Sequence, residues 1–317
     1  MVIAMRRKEL IANTALLFCA MIWGANFIFQ KQAAQYLGAF SFIAARYLVG
    51  ALSLLPLIVI TSSRRQQKAV AVDNGASDEQ WHGKHFITAA ALCSCANWGG
   101  SVLVQIGLHS TSASKAGFIS SAYIALVPVI QLLFLKKKSS YRVWIGIIMA
   151  ICGLYMLCIS DVTGIERGDV AVMGSTICFA IHILLWSHVS PHVNGLHFVM
   201  TEFTCSALLA AIVAAFTETF QWSAIVQCIW PILFAGVLGV GLTYTIQIYS
   251  QRFTSSAIAA LLMSMESVFS AVGSVLILHE SLSIREWIGC IIMLATIVFI
   301  QCPLPQKHAK THKVKPA

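Results

Sequence analysis

Ten apolar stretches, each of about twenty residues, alternate with short polar segments along this 317-residue chain. An α-helix rises 1.5 Å per residue, so about 20 residues cross the hydrocarbon core of a bilayer. We therefore predict an all-α integral membrane protein with ten transmembrane helices. The predicted spans are residues 10–31, 38–61, 85–108, 112–135, 141–160, 169–188, 196–217, 226–248, 255–278 and 283–302.

Composition supports a lipid environment. Hydrophobic residues make up 58% of the chain and charged residues only 10%, against about 25% charged in soluble domains. The net charge of +9 would suit nucleic acid, but the lysines and arginines cluster between or beside the apolar stretches. This distribution is the positive-inside pattern of membrane proteins. We therefore predict the lipid bilayer as a partner and no nucleic-acid partner.

The same basic residues predict the orientation. With the N-terminus in the cytoplasm, 16 lysines and arginines fall on cytoplasmic segments and 3 on outer segments. Such a bias requires an even number of spans with both termini cytoplasmic, and we predict residence in a bacterial cell membrane. The apolar stretch Ile11–Gln30 is longer than a signal-peptide core, so it predicts a retained first helix.

Cysteine and histidine patterns predict no cofactor and no metal. The ten cysteines fall almost entirely within apolar stretches and form no CxxC pair, which is typical of packing residues. His188 and His192 have helical spacing, but Pro191 between them disfavours the helix that a metal site would need.

An internal repeat divides the chain into two halves. The pattern Ser140-x-Arg142-x-Trp144-Ile145-Gly146 returns as Ser283-x-Arg285-x-Trp287-Ile288-Gly289, a shift of 143 residues. At a shift of 142, Gln105 matches Gln247 and Ser114 matches Ser256; nearer the front of each half, Trp23 matches His182 and Arg46 matches Glu202. Five spans per half is an odd number, so the second half must be inverted. We predict one repeat over residues 1–160, a second over 161–303 and a basic cytoplasmic tail over 304–317.

The motifs of both halves resemble one family. They are Trp23-Gly24-Ala25-Asn26-Phe27, Arg46-Tyr47, Gln105 with Thr111–Ile119, Glu266 within Met263–Phe269, and Glu280 before Trp287-Ile288-Gly289. This set is similar to the EamA branch of the drug/metabolite transporter superfamily. The resemblance implies an export carrier for amino acids or related metabolites, with a central cavity lined by both repeats. Relatives often carry proline after the glutamate equivalent to Glu266, where this chain has Ser267, so the resemblance leaves a helix kink there open.

Five ionisable residues fall within the predicted spans: Arg46, Lys115, His182, Glu202 and Glu266. A charge inside a bilayer is costly, so each is a candidate for substrate binding or coupling. Glu266 lies near the middle of the ninth span, on a predicted helix face with Ala259, Met263, Ser270 and Gly273. It either titrates a proton or binds a substrate amine, or it pairs with a basic neighbour and holds helices together.

The other four have two interpretations each. Arg46 either binds a substrate carboxylate with its planar fork or bridges to backbone carbonyls and carboxylates. Glu202 occupies the equivalent place in the second repeat, with the opposite charge. Lys115 lies near the outer end of the fourth span, where it binds substrate or extends to water. His182 either joins proton coupling or packs as a hydrogen-bonded histidine.

Polar and aromatic side chains follow helical spacing on three spans. The candidates are Trp23 and Asn26 in the first span, Asn97, Trp98 and Gln105 in the third, and Tyr244 and Gln247 in the eighth, with Met263 in the ninth. They form either interhelical hydrogen bonds or the wall of an aromatic-lined pocket.

We therefore expect a secondary transporter that exports amino acids or related small polar metabolites by alternating access around a central cavity. Arg46 and Lys115 with Glu202 and Glu266 offer both charges of a zwitterion. Sugars, drugs and phosphorylated metabolites are alternative substrates, and a homodimer remains open. An intramembrane enzyme is the distant alternative, because the chain has no HExxH, P-loop or GxSxG motif; we predict no enzymatic activity and no catalytic residues.

Overall fold

The computed structural model describes residues 2–61, 81, 83–111, 113–137, 139–158, 167–219, 221–278 and 283–301. Residues 62–80 of the predicted polar loop, Glu280 and the predicted tail 304–317 lie outside the described residues. The described part is helical, and no β-strand occurs in it.

Besides the helical residues 55–61, the described part of the first half contains six α-helices. They are α1 (Val2–Ala33), α2 (Ala39–Ser53), α3 (Lys84–Leu108), α4 (Ala113–Ser121), α5 (Tyr123–Phe134) and α6 (Tyr141–Cys158).

The second half, where the structure describes it, contains eight α-helices and two other helical segments. They are α7 (Arg167–Val189), a 3₁₀ turn (Ser190–His192), α8 (Gly195–Thr217), α9 (Trp222–Gln227), α10 (Ile229–Leu233), a π-helix (Phe234–Leu242), α11 (Thr243–Ser250), α12 (Ser256–Met263), α13 (Glu266–Leu278) and α14 (Ile284–Gln301).

Eight helical stretches in the described residues are long and apolar enough to cross a bilayer. They are Arg7–Ala33, Ala39–Thr61, Lys84–Leu108, Lys115–Phe134, Arg167–His192, Gly195–Thr217, Ile229–Ser250 and Ser256–Gly273. Each overlaps a predicted span. The fifth and tenth predicted spans correspond to the shorter apolar helices Tyr141–Gly153 and Trp287–Phe299. The integral membrane class is thus supported, and the count of ten stays a prediction.

Four of the predicted spans are interrupted within the described residues. The second is interrupted at Leu54, between α2 and the helical residues 55–61. The fourth is interrupted at Ala122 between α4 and α5, and the ninth between Met263 and Glu266. The eighth is interrupted at Cys228 and contains the π-helix. A straight helical face from Ala259 to Gly273 therefore does not exist, although Met263 and Glu266 still meet at one cavity.

Serine side chains explain the interruption beside Glu266. The Ser264 hydroxyl lies 2.8 Å from the carbonyl oxygen of Leu261, and the Ser267 hydroxyl lies 2.8 Å from that of Ser264. Hydroxyls that bond to the preceding turn compete with the helical hydrogen-bond ladder and bend helices. The break at this site therefore forms without the proline that relatives often carry.

Close helix packing surrounds the centre of the molecule. A Cβ added at Gly24 of α1 would lie 2.6 Å from the Cβ of Phe269 and 2.7 Å from the carbonyl oxygen of Glu266. The glycine thus lets α1 touch the backbone of α13. On the outer surface large apolar side chains are exposed, among them Phe216 at 86% and Phe134 at 77%. Such a surface is stable in lipid rather than in water.

Candidate functional site

A cavity lies among α1, α2, α3, α7 and α11, beside the interruptions of the fourth and ninth spans. Its volume is about 70 Å³, below the roughly 300–1,000 Å³ of typical ligand pockets. Aromatic rings of Trp23, Phe27, Tyr123, Phe179 and Tyr244 form much of its wall. The lining of apolar rings with a few polar groups is therefore typical of a binding pocket, and the cavity is small in this conformation.

Arg46 supplies a positive charge to this cavity. Its guanidinium donates to Gln30 Oε1 at 2.8 Å and to Ser101 Oγ at 3.1 Å, and the residue is only 5% exposed. The Tyr47 hydroxyl donates to the same Ser101 oxygen at 2.5 Å. No carboxylate among the described residues forms a salt bridge with Arg46. Neutral groups thus hold the cation in place, and its charge has no protein counter-ion in the part of the chain described.

Glu266 supplies a carboxyl group to the cavity. The hydroxyls of Tyr123 and Ser121 each lie 3.3 Å from its Oε1. The residue is 7% exposed and lines the cavity as the first residue of α13. Within the described ranges no lysine, arginine or histidine pairs with it. The structural ion pair considered from sequence is therefore not formed by the described residues.

His182 and Glu202 form the second buried charge system. His182 Nε2 lies 2.7 Å from Glu202 Oε1, and the Trp186 indole N–H donates to Oε2 at 2.8 Å. His182 lines the cavity, whereas Glu202 lies behind it and is 0% exposed. A fully buried carboxylate with both oxygens occupied as acceptors is thus placed one side chain away from the cavity.

Trp23 and Tyr244 join the first and eighth spans. The Trp23 indole N–H donates to the carbonyl oxygen of Gly239 at 2.9 Å, within the π-helix. The two rings lie 5.1 Å apart between centroids, and the Tyr244 hydroxyl donates to Asn97 Oδ1 at 3.0 Å. π-Helical turns are frequent at functional sites, and here one carries the carbonyl that orients a cavity-lining ring.

Three polar atoms of cavity-lining residues have no hydrogen-bond partner within the described protein. They are Asn26 Oδ1, Arg46 Nε and Gln247 Oε1. A buried polar group without a partner is costly. A polar solute or water in the cavity would satisfy them, so the chemistry of the wall favours a polar ligand.

The structure brings together eight of the thirteen candidates from the sequence. Those that line the cavity are Trp23, Asn26, Arg46, His182, Tyr244, Gln247, Met263 and Glu266. Glu202 and Asn97 contact members of this set from behind. Gln105 donates to the carbonyl oxygen of Gln30 at 3.1 Å, and the half-buried Trp98 packs against Phe40 with ring centroids 6.3 Å apart.

Lys115 is not among the residues that line the cavity. Its ammonium lies 2.6 Å from Asp169 Oδ2, and the Thr111 hydroxyl donates to the other oxygen of Asp169 at 2.7 Å. Lys115 is thus paired with a carboxylate in this structure, and a role for it in substrate binding stays a prediction. Asp169, at the start of α7, is the partner that the sequence did not reveal.

Sequence reasoning also missed several wall residues. Gln30 and Ser101 belong to the polar stripes of the first and third spans, so helical spacing could have found them. Tyr123 lies 143 residues before Glu266, so the repeat could have drawn attention to it. Phe179 and Ile183 carry no signal in the sequence beyond their apolar character.

No group of three or more metal-ligating side chains suited to a metal ion occurs within the described ranges. Helices of membrane-crossing length around an internal cavity lined by charged, polar and aromatic side chains are typical of polytopic membrane proteins. The chain belongs to the EamA-like transporter family, whose family profile matches residues 10–159 and 166–302.

Known proteins agree with this membership. A protein of Archaeoglobus fulgidus named "Uncharacterized transporter" is 27% identical over 293 residues, covering 92% of this chain and 86% of that protein. "Uncharacterized transporter YoaV" of Bacillus subtilis is 19% identical over 280 residues, covering 86% and 90%. "Solute carrier family 35 member F6" of Mus musculus is 24% identical over 167 residues, covering 50% of this chain and 40% of the mouse protein.

A solved structure described only as "Crystal structure of protein" shares the fold. It superposes with a TM-score of 0.70 at 12% identity, covering 91% of this chain and 96% of that one. Membership of this family, together with the names of these relatives, identifies this chain as a transporter.

Proposed function

We propose that this transporter is a secondary carrier that exports amino acids or related small polar metabolites. The observation that carries the proposal is the presence of Arg46 and Glu266 in one cavity, each held by neutral side chains. A guanidinium binds a carboxylate through two parallel hydrogen bonds, and a carboxylate binds an ammonium. A zwitterion of suitable length satisfies both charges at once, without the contribution from Lys115 that the sequence suggested.

We also propose that the halves 1–160 and 161–303 are inverted repeats that rock around this cavity. Two contacts support the idea. The Ser121 hydroxyl lies 3.4 Å from the carbonyl oxygen of Ser264, and the Tyr123 hydroxyl lies 3.3 Å from Glu266, each pair 143 residues apart. Equivalent residues meet in this way beside an axis that relates two halves. Discontinuous helices at such an axis are common in transporters that work by alternating access.

The orientation belongs to the same proposal. Ten spans with both termini in the cytoplasm of a bacterial cell would place the basic segments on the inside and the cavity between the two membrane surfaces. Export then requires that the cavity opens first to the cytoplasm and afterwards to the outside.

Counterflow in liposomes tests the proposed substrate. Purified protein is reconstituted with each unlabelled amino acid of a panel inside, and entry of the labelled amino acid is followed. Saturable exchange above that of protein-free liposomes supports the proposal. Absence of exchange for every amino acid, with the protein monodisperse after extraction, sinks the zwitterion proposal and directs the search to sugars, drugs and phosphorylated metabolites.

A further inference from the structure

The repeat places different chemistry at equivalent positions of the two halves. Arg46 in the first half binds neutral partners and lines the cavity. Its equivalent Glu202 is 0% exposed and is reached from the cavity only through His182, which is the equivalent of Trp23. Where the first half has the indole of Trp23 and the guanidinium of Arg46, the second half therefore has the imidazole of His182 in contact with the buried carboxylate of Glu202.

From this arrangement we propose that His182, held by Glu202, is the site that binds the coupling proton of the transporter. The inference rests on the proposed amino-acid carrier and adds the ion that drives it. His182 Nε2 lies against Glu202 at 2.7 Å, while its other ring nitrogen, Nδ1, has no hydrogen-bond partner among the described residues. Because His182 lines the cavity, Nδ1 is the ring atom that can exchange a proton with the cavity.

The charges of the pair explain why the proton binds. Glu202 Oε2 accepts from the Trp186 indole N–H. When His182 carries its proton on Nε2, Glu202 Oε1 accepts from that N–H across the 2.7 Å contact, and both oxygens then act as acceptors, as a carboxylate's do. With neutral His182, the pair carries one negative charge that is completely buried, which is costly in a low-dielectric interior. A hydronium ion in the cavity gives up a proton: one of its O–H bonds breaks, an N–H bond forms with the Nδ1 lone pair, and a water molecule remains. The pair is then neutral overall, and the cavity has lost no other atom.

The same charges explain exchange with substrate. An ammonium group in the cavity and an imidazolium in its wall repel each other across a short, poorly screened distance. Entry of the substrate amine therefore favours release of the Nδ1 proton to water, with the electron pair remaining on the nitrogen. The result is antiport, in which one proton leaves the site when one amine occupies it.

Several other titratable groups lie near His182 and Glu202. Cys93 from α3 and Cys205 from α8 lie near Glu202, on elements that pack around it. The Tyr244 ring lies 6.0 Å from the His182 ring. Arg46, Tyr123 and Glu266 line the same cavity. Only Glu202 contacts His182 within salt-bridge distance among the described residues, so it is the charge that the pair balances.

Tryptophan fluorescence tests proton binding without any substrate. The Trp186 and His182 rings lie 4.9 Å apart, and a protonated imidazole at contact quenches an indole. Trp81 stacks on His192 at 4.9 Å, so the titration uses the W81F background, where that second reporter is removed. We expect fluorescence to fall as the pH is lowered. The change disappears in W81F/H182Q and in W81F/W186F.

A pH-dependent change that persists in W81F/H182Q, or no change in W81F itself, overturns the proposal. The exposed His188 on the same helix gives the matched control. W81F/H188Q retains the change, because His188 has no contact with Trp186 or Glu202 among the residues described.

Transport gives the second readout. For an amino acid that shows counterflow, uptake is measured with and without an imposed pH gradient, and the ratio of the two is compared between variants. The ratio exceeds one in the wild type and in H188Q and falls to one in H182Q and in E202Q. An H182Q ratio equal to that of the wild type contradicts the coupling role. Absence of counterflow for every amino acid in the wild type instead contradicts the proposed function, so the two failures are distinguishable.

Discussion

The hydroxyl of Tyr123 lies 3.3 Å from Glu266 Oε1, and the two residues are separated by 143 positions. This separation equals the shift at which the Ser140–Gly146 pattern returns as Ser283–Gly289. Each residue is also the first of the helix that follows an interruption, α5 for Tyr123 and α13 for Glu266. The contact therefore joins equivalent points of the two halves and brings the carboxylate to the centre of the bundle.

Replacing Glu266 with Gln should abolish or strongly reduce amino-acid exchange. The substitution removes the charge that would bind a substrate ammonium while leaving acceptors for Tyr123 and Ser121. A hydrogen bond to a charged group contributes about 1.5–3 kcal/mol, so exchange at a fixed low substrate concentration should fall by about tenfold or more. Counterflow in liposomes measures it. Thr201→Ala is the control, because its hydroxyl bonds within its own helix to the carbonyl of His197 and the residue does not line the cavity; equal losses in both variants would contradict a substrate role for Glu266.

Substitutions of Arg46 and Lys115 together test which of the two positive charges contacts the substrate. Arg46→Lys keeps a positive charge but loses the planar fork that can bind a carboxylate at two points. We expect the KM for an exchanged amino acid to rise by about tenfold. Lys115→Gln should leave KM within about twofold, because Lys115 pairs with Asp169 and does not line the cavity. A larger KM effect at Lys115 than at Arg46 would show that the substrate binds elsewhere.

Gly24→Ala should destabilise the fold. The new methyl group would lie 2.6 Å from Phe269 Cβ and 2.7 Å from the Glu266 carbonyl oxygen, and backbone cannot yield as a flexible side chain does. Overpacking of this kind costs about 1–3 kcal/mol, so the midpoint of thermal unfolding in detergent should fall. Gly99→Ala is the control, since its nearest new contact is Cys178 Sγ at 3.6 Å. Similar midpoints for the two variants would refute the tight packing of α1 on α13.

Glu218 caps the N-terminus of α2 from a distant part of the chain. Its two carboxylate oxygens accept from the backbone N–H groups of Phe40 at 2.9 Å and Ser41 at 2.8 Å. Loss of a helix N-terminal cap costs about 0.5–2 kcal/mol, so Glu218→Ala should lower the unfolding midpoint measured by the same thermal assay. Thr217→Ala, which removes a hydroxyl bonded within its own helix, should change it less. An unchanged midpoint for Glu218→Ala would indicate that water replaces the cap.

Reporter fusions test the orientation. A fluorescent protein fused after residue 317 should fluoresce, because we predict a cytoplasmic C-terminus from the 16 to 3 bias of basic residues. Alkaline phosphatase fused after His109, at the end of α3, should be active because that point is predicted to lie outside. The reverse pattern in both fusions would invert the topology and, with it, the direction assigned to export.

The spans were predictable because they depend on local composition. All eight helical stretches of membrane-crossing length overlap a predicted span, since lipid requires each crossing segment to be apolar and internally hydrogen-bonded. Breaks within spans were not predictable in the same way. At Ser264 and Ser267 the deciding factor is which carbonyl each hydroxyl reaches, and apolar periodicity carries no information about that choice.

The candidate site, like the fold, was predictable from the sequence only in part. Rarity of charge in apolar stretches was enough to select Arg46, His182 and Glu266, which share one cavity. The same rule selected Lys115, which the structure pairs with Asp169 at 2.6 Å. Arg46 and Lys115 were selected by the same rule but have different surroundings. The packing of α4 against α7 brings the carboxylate of Asp169 to Lys115.

The sequence by itself determined that this chain is helical and crosses a membrane repeatedly, and it predicts two related halves. Those properties follow from hydrophobicity, helix rise and repeat spacing, all of which are local or additive along the chain. Only the tertiary structure decided which polar groups meet. The contacts of His182 with Glu202 and of Tyr123 with Glu266 join separate helices, and their partners depend on helix rotation and crossing, which many distant packing contacts set together.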